Sequence, residues 1–131
     1  MFFKIIKYEN TDSIITMNKV FSFTAFSSFM EKPMIVVRNV FQLKFGKAKD
    51  AKALIKEQQE LMKKFGHAPA QFMTDLTGEF YTLVMESTYE NLTAFEKSSQ
   101  DAMGAKEFGE WYGKFIPLVE SGRREIFNLI E

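Results

Sequence analysis

The stretch Met34-Ile35-Val36-Val37-Arg38-Asn39-Val40-Phe41-Gln42-Leu43-Lys44-Phe45-Gly46-Lys47 decides how the rest of the chain is read. Its first ten residues are rich in Val, Ile and Phe, and Gly46 suits a turn at their end, so a strand is predicted over 34–43. Side chains of a strand alternate between faces. Ile35, Val37, Phe41 and Leu43 therefore share a face with Asn39, while Val36 and Val40 share the other with Arg38 and Gln42. Apolar residues stand on both faces, whereas a sheet with one wet face alternates cleanly.

Downstream, Ala51, Leu54, Ile55, Gln58, Leu61, Met62 and Phe65 recur at three- and four-residue spacing with Lys and Glu between them. That is the period of an amphipathic helix over 48–65, and Gly66 supplies its C-terminal stop. His67-Ala68-Pro69 leads into a second strand over 71–76, and Thr77-Gly78 predicts a tight turn into a third over 79–87. Ser87 and Glu90 have capping-box spacing, which predicts a helix start there. Tyr89, Leu92, Ala94 and Phe95 form its apolar side; the polar run Lys97-Ser98-Ser99-Gln100 interrupts it, and Asp101 caps a second helical piece. Met103, Phe108, Trp111, Tyr112, Phe115, Ile116 and Val119 continue the helical period, with Pro117 a distorting residue near its end. Ser121-Gly122 predicts a break, and 123–130 a closing strand. The expected fold is α+β: a ferredoxin-like βαββαβ domain over 34–131 with a four-stranded antiparallel sheet.

On the third strand, Phe80 and Val84 oppose Tyr81, Leu83 and Met85, so again both faces are apolar. Right-handed crossovers put both helices on one side of the sheet. The uncovered face predicts a second copy of the chain as partner, a homodimer through the sheet.

Upstream, Phe, Lys, Ile, Asn and Tyr make up about half of residues 1–33 but about a third of the remainder. These residues share AT-rich codons. The expectation is an N-terminal extension, disordered or translated from upstream sequence, with Met34 as the natural start. A signal peptide is the competing reading, with Lys4, Lys7 and Lys19 as its basic part and 20–30 as its apolar part. It fits poorly, because Glu9 and Asp12 lie in the basic part and no small-residue cleavage pattern follows. The apolar run is far shorter than the roughly 20 residues of a membrane span.

Lys plus Arg and Asp plus Glu number 17 each, so no net field draws nucleic acid or anionic lipid. The chain has no cysteine, which removes disulfides and thiolate chemistry and fits a reducing, cytoplasmic location. No phosphate-binding glycine loop, nucleophile elbow, metal-binding His/Glu run or nucleotide fingerprint is present. No cofactor and no metal are expected.

The stretch from Val37 to Lys47, with an Arg on the strand and a Gly before the first helix, resembles the opening strand of dimeric α+β barrel proteins, especially NIPSNAP-like domains. The element order and the Trp111-Tyr112 pair are similar to that superfamily, which includes antibiotic biosynthesis monooxygenases. The resemblance covers residues 34–131 and implies a homodimer. It also implies a small apolar or aromatic ligand in a helix–sheet cleft, with oxygenase-like chemistry. The alternative is a non-catalytic dimeric interaction or stress-related domain, which predicts a filled cleft.

Candidate catalytic residues are Asn39, His67 and Trp111, and candidate ligand-binding residues are Arg38, Tyr81, Trp111 and Tyr112. Haem-degrading members of the superfamily pair a strand Asn with a Trp and a helix His. Asn39 and Trp111 match two of these by position, but no His lies in the second helical region. His67, the only histidine, stands just past a helix C-terminus, where a cation is favoured; a solvated or capping role competes with general base or haem ligand. Asn39 is a polar group on an apolar face and needs a partner, water or a ligand. Arg38 needs Glu86 or Glu125 beside it, or an anion. The aromatic stripe of Phe108, Trp111, Tyr112 and Phe115 has core packing as its usual meaning; any small-molecule pocket is expected in the same helix–sheet cleft, with Asn39, Tyr81 and His67 as its polar groups. Arg123 and Arg124 are adjacent on a strand, so only one can reach a given site.

Overall fold

The computed structural model describes residues 34–130, and the expectations for residues 1–33 lie outside the described residues. The chain runs β1 (Ile35–Leu43), α1 (Ala48–Lys64), β2 (Gln71–Thr74), β3 (Thr82–Tyr89), α2 (Leu92–Gly104), α3 (Lys106–Phe115), a 3-10 turn at Ile116–Leu118 and β4 (Val119–Asn128). The strand order is β2-β3-β1-β4 and every pairing is antiparallel. The α+β ferredoxin-like arrangement expected from the sequence is therefore the one found, with β2 and β4 as the sheet edges.

All the helices cover one face. Leu43 and Leu83 rise from the sheet into Ala51 and Ile55 of α1 and Trp111 and Phe115 of α3, all buried. Burying each large apolar side chain contributes about 1.5–3 kcal/mol, so this seam is the fold's main support. Lys64 with Glu107 and Lys114 with Glu57 bridge α1 to α3 at 3.3 and 2.8 Å. Both pairs are exposed and add little.

Several local expectations shift. The Thr77-Gly78 turn is not a tight hairpin: Thr74 pairs with Leu83, and the intervening loop is tied by Thr82 N donating to Asp75 Oδ1 at 3.0 Å and Asp75 N to the Thr82 carbonyl at 3.1 Å. Tyr81 takes φ 60°, a left-handed conformation rare for a non-glycine residue, which ends the extended run. Phe80 thus belongs to the loop, 71% exposed, and not to the sheet face. The capping box at Ser87 does not form, because β3 pairs with β1 as far as Tyr89; Asn91 caps α2 instead, its side chain accepting from Ala94 N at 2.8 Å. Asp101 lies inside α2, and the two helical pieces are separated at Ala105, which is extended. Ser121-Gly122 does not break the chain. Gly122 lies within β4, opposite Phe41 and next to an irregularity in the β1–β4 register. A Cβ there would stand 3.1 Å from the Phe41 ring, so the glycine makes room for that aromatic.

The open face holds Val36, Val40, Val84, Met73 and Phe127 around a charged band. Across it, Arg38 Nε meets Glu86 at 2.9 Å, Arg38 Nη1 meets Glu125 at 4.0 Å, and Arg123 Nε meets Glu125 at 3.0 Å. This face is more polar than strand patterning alone implies, since β4 sets Arg123 opposite Val40 and Glu125 opposite Arg38. Among the described residues, no helix is long and apolar enough to cross a membrane.

Candidate functional site

A cleft of about 540 Å³ lies between the helices and the sheet, within the range of small-molecule sites. Its floor is the helix-facing side of β1 and β3, with Val37, Asn39, Leu83 and Met85. Its walls are α1, α2 and α3, which supply Ile55, Phe95, Met103, Phe108, Trp111 and Phe115. A depression of about 590 Å³ on the open sheet face is somewhat larger. That depression is lined by strand and loop residues alone, whereas the cleft gathers helix aromatics with the buried Asn39 and Gln58, and the cleft is the candidate site.

Asn39 is 6% exposed on the cleft floor. Its partner is Arg124, which stands opposite it on β4 and donates from Nε to Asn39 Oδ1 at 2.7 Å. The Arg124 guanidinium also lies 5.1 Å from the Phe95 ring centroid, a cation–π contact that fixes its plane. The need for a partner at Asn39 was readable from alternation. The identity of that partner was not, because two adjacent arginines carry no mark of which one faces inward.

Trp111 is also 6% exposed, with its indole N–H donating to the Leu54 carbonyl at 2.7 Å. The bond holds α3 against α1 and leaves the ring face, stacked on Phe115 at 5.2 Å, along the cleft. Tyr112 is half exposed and stacks on Phe108 at 6.2 Å.

His67 is positioned by the end of α1. Gly66, at φ 74°, lets His67 N bond to the Met62 carbonyl at 3.0 Å while Gly66 N bonds to Lys63 at 3.1 Å, a Schellman termination. The imidazole Nδ1 then lies 3.1 Å from Ser98 Oγ on α2. Gln58 is buried on α1, its amide 3.7 Å from the Met85 sulfur. Its place in the apolar period of α1 is the sequence signal for it as a cleft residue.

Asn39, His67, Trp111 and Tyr112 thus line one cavity. Arg38 and Tyr81 do not join them. Arg38 is on the opposite face, between Glu86 and Glu125. Tyr81 packs its ring on Phe45 at 4.6 Å, beside a smaller hollow near the β2–β3 loop. No group of three or more His, Asp or Glu among the described residues is arranged to hold a metal ion.

No family model matches the chain, and no curated protein matches it. Solved structures do. A NIPSNAP family protein from Agrobacterium tumefaciens is 14% identical with a TM-score of 0.69, covering 75% of this chain and 87% of that one. A NIPSNAP-like domain protein from Burkholderia xenovorans is 15% identical with a TM-score of 0.66, covering 73% and 84%. The fold is the NIPSNAP-like one. An antibiotic biosynthesis monooxygenase-like protein from Nitrosomonas europaea shares it more loosely, 12% identical with a TM-score of 0.60 over 74% and 90% of the two chains. At these identities the likeness establishes architecture, and the NIPSNAP-like fold leaves the chemistry to the side chains in the cleft.

Proposed function

We propose that this protein binds a small apolar or aromatic molecule in the helix–sheet cleft and acts on it in an oxygenase-like manner. The observation that carries the reading is the open volume of about 540 Å³ beside Trp111 and Phe115, where a purely structural domain would be filled. Apolar walls with a few polar groups, here Asn39, Gln58 and His67, are the usual make-up of a ligand site. Titration with 1-octanol, a neutral apolar probe, tests the binding: a saturable change in the fluorescence of Trp111, the only tryptophan, is expected. No saturable response up to millimolar probe overturns the reading in favour of a non-catalytic interaction domain. The oxygenase-like part predicts oxygen uptake with an aromatic molecule bound in the cleft, and that uptake falls when Asn39 is replaced by Ala.

Pairing of two copies through the open sheet face belongs to the same proposal. The alternating charges Glu86, Arg38, Glu125 and Arg123, set among Val36, Val40 and Val84, allow a copy turned about a two-fold axis to meet opposite sign with opposite sign. A cytoplasmic location is a further part of it, tested by cell fractionation.

A further inference from the structure

The cleft is lined by Arg124 and His67 but by no Asp or Glu, although the chain as a whole carries equal numbers of acidic and basic residues. Arg123 also borders the cleft, but its side chain meets Glu125 within the charged band of the open face. The three arginines differ accordingly. Arg38 and Arg123 each meet a carboxylate at 3.0 Å or closer. Arg124 meets none within 4 Å among the described residues; its Nε is held by the neutral Asn39, and its flat face is covered by Phe95. A guanidinium anchored through Nε and stacked on one face has its two terminal nitrogens left for a ligand, in the planar fork that matches a carboxylate.

Given the cleft as the ligand site, we infer that Arg124 is its anion-binding residue and that the ligand is an organic monocarboxylate with an apolar body. The body lies along Phe95, Phe108 and Trp111, and the carboxylate is received at the β4 side of the cleft. One guanidinium that meets no carboxylate among the described residues answers one negative charge, which favours a carboxylate over a phosphate ester. Asn39 is then a positioning residue, holding the fork in place from the sheet.

The test compares octanoate with 1-octanol, equal in chain length and different in charge, by Trp111 fluorescence in the full chain. Octanoate is expected to bind one per chain and about tenfold more tightly than 1-octanol. Arg124→Gln should remove the preference, so that octanoate and 1-octanol bind this variant with equal affinity. Arg124→Lys, which keeps the charge and loses the fork, should retain part of the preference. Equal binding of the two probes to the unaltered protein, or an octanoate preference that survives Arg124→Gln, overturns the inference and leaves the cleft as a neutral ligand site. Saturable binding of neither probe removes the cleft reading as well. Should Arg124→Gln fail to fold, the comparison of probes on the unaltered protein and on Arg124→Lys still decides.

Discussion

Asn39→Ala removes the acceptor for Arg124 Nε and empties a buried polar position. The expected loss is about 1–3 kcal/mol, read as a lower denaturant midpoint with an unchanged slope. Trp111→Phe deletes the donor to the Leu54 carbonyl while keeping an aromatic ring. It should cost about 1–3 kcal/mol, and hydrogen exchange should rise first where α1 meets α3. At this scale the sequence exposed what alternation can expose: Asn39 as a polar intruder on an apolar face, and Trp111 as part of a stripe. Arg124 was hidden, because facing in or out depends on strand register. Tyr81 was equally hidden, since a left-handed backbone at a tyrosine has no signature in residue type.

Among elements, the strand–helix–strand–strand–helix–strand order followed from periodicity, and the boundaries shifted wherever two local signals competed. Ser87 and Glu90 have the spacing of a cap, but ladder bonds to β1 hold Ser87 in β3, and Asn91 does the capping. Asn91→Ala should therefore cost about 1 kcal/mol of stability, and Ser87→Ala should leave α2 capping untouched. Gly122 looked like a break because glycine often ends a strand; here it is the gap that admits the Phe41 ring, itself edge-on to Phe115 at 5.2 Å. Gly122→Ala presses a methyl into that ring, and a thermal melt should show a loss of about 1 kcal/mol or more.

For the whole molecule, the premise that helices shelter only one sheet face holds, and the other face is a patchwork of valines and ion pairs. If two copies meet there, Val84→Lys buries a charge against its symmetry mate. Native mass spectrometry should then show a monomer where the unaltered chain gives a dimer; a dimer that persists places the interface elsewhere. The resemblance gave the cleft its place between helices and sheet, but that the cleft stands open was not legible in the sequence, because a stripe of large aromatics reads the same whether it fills a core or walls a pocket.

At the outer margin of the sheet, β4 pairs with β1 on one side, and its ten residues have no strand beyond them among the described residues. A row of unpaired amides and carbonyls of that length is a template for adding foreign strands. Arg123, Arg124 and Glu125 sit in the middle of the row, and charged side chains there make an incoming strand pay in desolvation and repulsion. Those residues are therefore expected to guard this edge against aggregation as well as to make their local contacts. Exchanging all three for threonine should yield a protein that forms fibrils on standing while its freshly purified form remains folded.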